Sequence, residues 1–236
     1  VVVAGGFGET GTECENAQLE ITRYARENDM LILGPNCPGF VNLPSRTAPY
    51  GQRLPDNILT GSAAFILQSG ALATSITRLA VTHGIGISSL VCMGNEAQLT
   101  TEDVLEHLLT DPDTEAIGLF LEQVRNGARF LALARAAQEA GKAIVALKTG
   151  RSEAGRMMAM AHTGAVAGDD EVISAVFRQY GVIRTDSLEE LVVTTGFMAS
   201  QPRSGGRRIG IVTGSGGACE LMADRAADVG LDIPRF

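Results

Sequence analysis

Short apolar runs alternate with amphipathic helical patterns along almost the whole of this 236-residue chain. A short apolar run is typical of a strand that is buried on both faces, and such strands occur in parallel sheets whose crossover connections are helices. The alternation therefore predicts an α/β fold, with parallel sheets and helices on both faces. Hydrophobic residues make up 45% of the chain and charged residues 19%, which is typical of a chain that forms a packed core.

The pattern places strands and helices at definite positions. Predicted strands cover residues 1–4, 30–33, 63–67, 88–93, 115–121, 143–147, 182–184 and 207–213. Predicted helices cover residues 13–28, 71–83, 101–109, 127–140, 169–180, 187–198 and 218–229. Most of these strands lead directly into a helix, as the crossovers of a parallel sheet require.

Two segments of irregular composition divide the chain. Residues 41–60 contain three prolines, and residues 201–206 are polar and rich in Gly, Pro and Ser. We expect the first region to be the end of one α/β domain, the second a whole α/β domain and the third the start of another, so that the chain is cut at both ends. The three regions are residues 1–55, 60–200 and 206–236.

Charge and cysteine content exclude several classes of function. The net charge of −8 argues against nucleic acid as a partner, because phosphate backbones need a basic surface. The four cysteines are scattered and form no C-x-x-C pair, which predicts neither a metal site nor a disulfide framework. No apolar run is long enough to span a membrane, and the opening residues do not resemble a signal peptide. We therefore expect a cytoplasmic protein.

His162 lies among small residues in the segment 161–168, which reads AHTGAVAG. Small neighbours let other groups approach the imidazole closely, and an imidazole is a nucleophile or proton carrier near neutral pH. The alternative is a loop histidine without a role. His83 and His107 lie in or beside predicted helices and are interpreted as solvated helix-end residues.

The turn that follows the strand at 63–67 is a candidate anion site. Gln68-Ser69-Gly70-Ala71 places a hydroxyl and free backbone N–H groups at the start of a helix, and the carboxyl edge of a parallel sheet is where ligands bind. The alternative is that Ser69 only caps the helix. Residues 214–217 (GSGG) repeat the pattern in the third region, and Arg151 adds a cation after the strand at 143–147.

Glu122 follows the strand at 115–121 without a break. An acid at the carboxyl end of a parallel strand faces the ligand crevice, where it can accept a hydrogen bond from His162 and fix the imidazole tautomer. The alternative is a surface acid in a loop.

Five motifs occur in an order that resembles the NDP-forming acyl-CoA synthetase superfamily, which includes the α chain of succinyl-CoA synthetase and the ADP-forming acetyl-CoA synthetases. They are Gly34-Pro35-Asn36-Cys37-Pro38-Gly39, Gln68-Ser69-Gly70-Ala71, Leu121-Glu122, the run from Leu147 to Gly155, and His162-Thr163-Gly164-Ala165. The run from Lys148 to Gly155 and the GSGG of residues 214–217 are more similar to the ADP-forming branch.

The resemblance implies a domain order. Residues 1–55 would be the C-terminal part of a Rossmann-like CoA-binding domain, and residues 60–200 a flavodoxin-like domain that carries a phosphohistidine. Residues 206–236 would begin a second flavodoxin-like domain.

The resemblance also implies a reaction, in which acyl-CoA, phosphate and ADP give a carboxylic acid, CoA and ATP reversibly, through an acyl phosphate and a phosphohistidine. His162 is implied to be the phosphorylated residue and Glu122 the acid that orients it. Ser69, Gly70, Ala71, Thr163 and Gly164 are implied to bind the phosphoryl group, and Pro35 and Asn36 to lie near the thiol end of CoA. ATP or ADP and magnesium are implied on an ATP-grasp domain or subunit outside this chain, in an oligomer.

A second reading is a non-catalytic CoA-binding regulatory module, as in synthetase-like regions fused to acetyltransferases. The retention of His162, Glu122 and Ser69 favours the enzyme. An NAD-dependent oxidoreductase is disfavoured, because the glycines of residues 5–11 do not form a G-x-G-x-x-G fingerprint. The sequence does not specify the acyl group or the choice between ADP and GDP.

Overall fold

The computed structural model describes residues 1–155, 157–158, 170–200 and 206–234. The chain divides into two compact units, Val1–Ser200 and Gln201–Phe236. The predicted α/β architecture is confirmed in the first unit, which contains one mostly parallel sheet with helices packed against it.

The regular elements of the first unit agree closely with the predicted positions from residue 63 onward. Its strands are β1 (Phe40–Asn42), β2 (Thr60–Leu67), β3 (Ile87–Cys92), β4 (Ala116–Leu121), β5 (Ala143–Lys148) and β6 (Ile183–Thr185). Its helices are α1 (Thr12–Glu27), α2 (Ala73–Thr82), α3 (Thr101–Thr110), α4 (Gly127–Ala140), α5 (Asp170–Gln179) and α6 (Leu188–Ser200).

The sheet has the order β1-β3-β2-β4-β5-β6. Strands β2 to β6 are all parallel, and their order is that of flavodoxin-like folds. In these folds the first parallel strand lies between the second and the third, so the chain builds the sheet first to one side of it and then to the other. The reversal here lies at β2, which pairs with β3 on one side and β4 on the other. Ligands of such sheets bind beyond the carboxyl ends of the strands at this point.

Burial follows from this arrangement. Every residue of β3 and β4 is buried, because helices cover both faces of the sheet. Helices α2 and α6 contact each other in one layer, and α6 also contacts β2, β4 and β5. Helices α3 and α4 contact each other in the second layer, against β2 and β5.

Local sequence sets where these helices begin and end. Thr100 and Asp103 form a reciprocal capping box at the start of α3. The side chain of Asn126 accepts a hydrogen bond from the backbone N–H of Arg129 at 3.0 Å and so begins α4. Gly141 ends α4 in a left-handed conformation with φ of 79°, which glycine adopts without strain.

Two strand predictions in the first unit are wrong. Residues 1–4 and 30–33 have no regular secondary structure. A hydrogen bond from the backbone N–H of Val2 to the carbonyl of Leu33, at 3.0 Å, joins them without forming a ladder. Conversely, the strand β1 lies partly within the segment predicted to be irregular and pairs antiparallel with β3. The apolarity of these runs predicts burial, but Val1, Val3, Met30 and Leu31 are exposed. Only a neighbouring strand in the correct register makes a strand.

The second unit contains α7 (Gly216–Asp228), whose N-cap Ser215 accepts a hydrogen bond from the backbone N–H of Ala218 at 3.3 Å. The predicted helix at 218–229 is confirmed, but the strand predicted at 207–213 is wrong. Within the described residues of this unit, a single parallel bridge joins Arg208 to Asp232, and Val212 is fully exposed. A segment that pairs at one bridge alone does not form a strand, because a strand needs a ladder of hydrogen bonds to a neighbour.

We expect Gly118→Ala to destabilise the first unit. A Cβ at this position of β4 would lie 2.7 Å from Cδ1 of Phe65 and 2.7 Å from Oγ1 of Thr195, both fully buried side chains. Overpacking of this kind costs about 1–3 kcal/mol of the free energy of unfolding, which denaturant titration of the full-length protein measures.

Gly127→Ala is the matched control, because a Cβ there meets no atom within 4 Å. Its free energy of unfolding should change by less than about 1 kcal/mol. Equal stability of the two variants would contradict the close packing of α6 on β4.

Candidate functional site

A cavity of about 630 Å³ lies at the carboxyl ends of β2 and β4, where the strand order reverses. Its walls come from the turn after β2, the loops after β3 and β4, the loop at residues 36–38 and the start of the chain near α1. Its position is the one that parallel α/β sheets use for ligands.

The cavity brings together residues that the sequence singled out separately. Its lining includes Asn36, Ser69, Gly70, Ala71 and Glu122. Pro35 lies beside the cavity, and its carbonyl accepts a hydrogen bond from the backbone N–H of Asn95 at 2.9 Å. His162, Thr163 and Gly164 lie outside the described residues, so the hydrogen bond between Glu122 and His162 stays a prediction.

The turn after β2 presents a hydroxyl that has no hydrogen-bond partner among the described residues. Ser69 is extended, a short 3₁₀ helix follows at Gly70–Leu72, and the Ser69 side chain makes no capping hydrogen bond to that helix. The capping interpretation of Ser69 is therefore wrong in this structure. A Cβ on Gly70 would lie 2.4 Å from Cδ of Pro38, so the glycine lets the loop at residues 36–38 approach the start of the helix.

Gln68 connects the loops around the cavity through its buried side-chain amide. Its Oε1 accepts hydrogen bonds from the backbone N–H groups of Glu122 at 2.6 Å and Gln123 at 3.0 Å. Its Nε2 donates to the carbonyl of Gln123 at 3.0 Å, to Oε2 of Glu96 at 3.3 Å and to Oγ1 of Thr101 at 3.3 Å. One side chain thus fixes the ends of β2 and β4 to the loop after β3.

Glu96 is a buried carboxylate that is fully engaged. Its Oε1 accepts hydrogen bonds from the backbone N–H and the hydroxyl of Thr101, both at 2.6 Å. Its Oε2 accepts from Nε of Arg125 at 2.8 Å as well as from Gln68. A buried carboxylate is stable only with such partners, so Glu96 holds Arg125 at the edge of the cavity.

Glu122 has a fixed backbone and a side chain that lines the cavity. Its carbonyl accepts a hydrogen bond from Nζ of Lys148 at 2.8 Å, and Lys148 also donates to the carbonyl of Thr149. Burial lowers the pKa of the Lys148 amine, and the charge of Arg184 adds to that effect, against the opposing charges of Asp170 and Glu122.

A second set of contacts organises the side of the cavity near α1. Asn95 donates through Nδ2 to Oε2 of Glu9 and, at 2.9 Å, to Oε1 of Gln18. The pKa of Glu9 is below its usual value: partial burial opposes this shift, but the hydrogen bonds from Asn95 and from the backbone of Gly6 and Phe7 outweigh it. Asn36 is left-handed, with φ of 58°, and donates to Oδ1 of Asn95 at 3.4 Å.

Sequence reasoning gave no role to Gln68, Asn95, Glu96 or Arg125. Gln68 belongs to the Gln68-Ser69-Gly70-Ala71 motif, but nothing in the residues around it indicated that its side-chain amide is buried. Within the described residues, no group of three or more His, Cys, Asp and Glu side chains is placed to hold a metal ion. In the same part of the chain, no helix has the length and apolar character needed to cross a membrane.

The model of the family described as "succinyl-CoA ligase like flavodoxin domain" matches residues 60–198. The chain belongs to this family. The resemblance to NDP-forming acyl-CoA synthetases that the sequence motifs indicated is thereby confirmed, and curated relatives agree. The chain is 36% identical over 233 residues to the alpha subunit of ADP-forming acetate–CoA ligase I of Pyrococcus furiosus, covering 98% of this chain and 50% of the relative.

Two further relatives show the same relation. ADP-forming acetate–CoA ligase of Methanocaldococcus jannaschii is 36% identical over 238 residues, which is 100% of this chain and 33% of the relative. The solved structure of acetyl-coenzyme A synthetase 1 of Ca. Korarchaeum cryptofilum, in complex with phosphate and ADP, has a TM-score of 0.88 and 34% identity, covering 99% of this chain and 50% of that one. This member of the succinyl-CoA ligase-like flavodoxin family thus spans half or less of the length of these relatives.

We expect Gln68→Glu to destabilise the fold and to reduce ligand binding in the cavity. A carboxylate at this position has lost the donors to Glu96 and Thr101 and faces the Glu96 carboxylate directly. Leaving buried partners unpaired costs about 1–3 kcal/mol per group, and denaturant titration measures the loss. Gln179→Glu, an exposed position near the end of α5, should change the free energy of unfolding by less than about 0.5 kcal/mol. Comparable losses in both variants would contradict the role of the network.

The lowered pKa of Lys148 makes the stability depend on pH. In the unfolded chain this amine titrates near 10.5, so between its lowered folded-state pKa and 10.5 the unfolded state binds more protons. The contribution of Lys148 to the free energy of unfolding therefore rises with pH in that window. Buried thiols also titrate in alkaline solution, since burial raises the pKa of Cys92 to about 12. Their effect is the same in the wild type and in Lys148→Met, so the difference between the two free energies of unfolding isolates the contribution of Lys148.

We expect this difference to increase as the pH of the denaturant titration rises towards 10.5. Lys142→Met is the control, because the Lys142 amine also donates to two carbonyls, those of Leu108 and Asp111, but is less buried. A difference for Lys148→Met that does not change with pH would contradict the assignment.

Proposed function

We propose that this chain is the part of an ADP-forming acyl-CoA synthetase that binds CoA and carries the phosphohistidine. The observation that carries the proposal is the convergence of Asn36, Ser69 and Glu122 on one cavity at the reversal point of the sheet. Three motifs far apart in the sequence were assigned to one reaction, and they line one ligand-sized volume.

The first step is attack of phosphate on the thioester. An oxygen of hydrogen phosphate forms a bond to the thioester carbon, the carbon–sulfur bond breaks, and the departing sulfur takes the phosphate proton. The products are an acyl phosphate and CoA. The Ser69 hydroxyl, which makes no capping hydrogen bond, and the backbone N–H groups of Gly70 and Ala71 offer donors to the phosphoryl oxygens, with Thr163 and Gly164 as further proposed donors.

The second step transfers the phosphoryl group to His162. One imidazole nitrogen forms the bond to phosphorus, the bond to the acyl oxygen breaks, and the carboxylate leaves. The other imidazole nitrogen keeps its proton and donates it in a hydrogen bond to Glu122, whose carboxylate stabilises the positive charge on the ring. The backbone hydrogen bond of Glu122 to Gln68 fixes the acid for this task.

The third step returns the phosphoryl group from His162 to ADP and forms ATP. We propose that ADP and magnesium bind on an ATP-grasp domain or subunit beyond this chain and that the working enzyme is an oligomer. Pro35 and Asn36 are proposed to lie near the thiol end of CoA, since their loop packs against the turn at Ser69. We propose a cytoplasmic location for the enzyme.

The domain division follows from the same proposal. Residues 1–55 correspond to the C-terminal part of the CoA-binding domain, residues 60–200 to the flavodoxin-like domain, and residues 206–236 to the start of a second one. A non-catalytic CoA-binding module is not favoured, because the curated relatives described above are named as ligases.

Phosphorylation of His162 tests the proposal. The full-length protein with its ATP-grasp part is incubated with γ-labelled ATP and magnesium. We expect acid-labile, base-stable label that disappears in His162→Asn and falls by at least about tenfold in Glu122→Gln, because the imidazole loses its orienting charge. A carboxylic acid plus CoA should discharge the label.

His107→Asn is the matched control, since His107 is an exposed histidine on α3 outside the cavity. Its labelling should equal that of the wild type. Absence of label in the wild type, with CoA binding retained, would overturn the synthetase function and support the regulatory module.

A further inference from the structure

Arg125 is a cation that the fold holds at the edge of the cavity. Its Nε donates to Oε2 of Glu96 at 2.8 Å, and its Nη2 donates to the carbonyl of Asn95 at 3.0 Å. The Glu96 side chain is 2% exposed, whereas the Arg125 side chain is 42% exposed and lines the cavity. One edge of the guanidinium is therefore anchored on a buried acid, and the rest of it is open to solvent.

The charge of the cavity makes this cation significant. Among the described residues that line it, Arg125 is the one basic side chain, while the acidic side chains are those of Glu9, Glu15, Glu96 and Glu122. A phosphate dianion is repelled by such a wall unless a cation faces it. Because the anchoring bond already pairs Glu96 with Arg125, the repulsion from that acid is reduced at the guanidinium.

The guanidinium retains donors for an anion. It has five N–H groups, and the hydrogen bonds to Glu96 and Asn95 use one on Nε and one on Nη2. In the described part of the chain, the remaining N–H groups, including both on Nη1, have no acceptor. Adjacent N–H groups of this kind match two oxygens of a phosphate in a bidentate contact.

Arg125 also lies on the reactive side of the cavity. Its Nε shares Oε2 of Glu96 with Nε2 of Gln68, the residue that precedes Ser69. It follows Glu122 by three positions on the loop after β4. Arg125 is thus bonded to the same buried carboxylate as the residue that precedes the Ser69 turn, and it lies on the same loop as the proposed orienting acid.

We propose that Arg125 binds the phosphoryl oxygens of phosphate and of the acyl phosphate in this cavity. The inference rests on the proposed synthetase function and adds the residue that recognises its inorganic substrate. Arg125 holds the phosphate dianion against the acidic wall and directs one oxygen to the thioester carbon. The diphosphate of CoA is a second anion that the guanidinium could bind. The two anions are distinguished by whether the KM for phosphate or the KM for acetyl-CoA changes when Arg125 is replaced.

Steady-state kinetics in the direction of acyl-CoA breakdown test the proposal. The full-length enzyme with its ATP-grasp part is assayed against phosphate and, separately, against acetyl-CoA. We expect Arg125→Ala to raise the KM for phosphate by about 10- to 100-fold, because charge-assisted hydrogen bonds to the dianion are lost. The KM for acetyl-CoA should change by less than about twofold. The KM of Arg125→Lys for phosphate should lie between those of the wild type and Arg125→Ala, since lysine keeps the charge without the paired N–H groups of the guanidinium.

Added guanidinium at millimolar concentration should partly restore activity to Arg125→Ala but not to Arg125→Lys. This rescue separates binding from a structural role, because loss of the contact to Glu96 can lower the melting temperature of the alanine variant. Arg135→Ala is the matched control, an exposed arginine on α4 that pairs with Glu139.

The outcomes are separable. A raised KM for acetyl-CoA with an unchanged KM for phosphate would assign Arg125 to the CoA diphosphate and overturn the proposal. An unchanged KM for phosphate in an active, folded Arg125→Ala enzyme would also overturn it, while leaving the synthetase function intact. A wild-type enzyme that does not consume acetyl-CoA with phosphate and ADP would instead contradict the synthetase function itself.

Discussion

The buried amide of Gln68 is the interaction on which the site depends. It lies where the order of the parallel strands reverses, and the loops that follow β2, β3 and β4 all bond to it or to its partner Glu96. A buried polar group without a hydrogen-bond partner costs free energy, so each group in this network stays bonded to its partners. The hydrogen bonds that stabilise the fold therefore also hold the cavity walls together.

This network also decides the electrostatics of the cavity. Glu96 cannot be buried alone, and the cation that it requires is Arg125, which extends to the cavity edge. The guanidinium of Arg125 thus pairs with the buried Glu96 and is also the group that we propose binds the anionic ligand. Ser69 contributes differently, with a hydroxyl that the local helix start does not use.

The fold class and most helices followed from the sequence because they depend on local pattern. The helix predicted at 127–140 matches α4 at both ends, since Asn126 and Gly141 are strong start and stop signals. The segments at 1–4, 30–33 and 207–213 were predicted as strands for their apolarity, but strand formation needs a partner ladder that lies elsewhere in the chain.

The sequence alone determined the parallel α/β architecture and the family, and it predicted Asn36, Ser69 and Glu122 as site residues, because periodicity and motifs are properties of neighbouring residues. Only the tertiary structure showed that these three line one cavity. It alone revealed Gln68 bridging three loops and Arg125 facing an acidic wall. Hydrogen bonds between residues that are distant in the chain produce no periodic pattern in the sequence, because the packing of the sheet determines which residues meet.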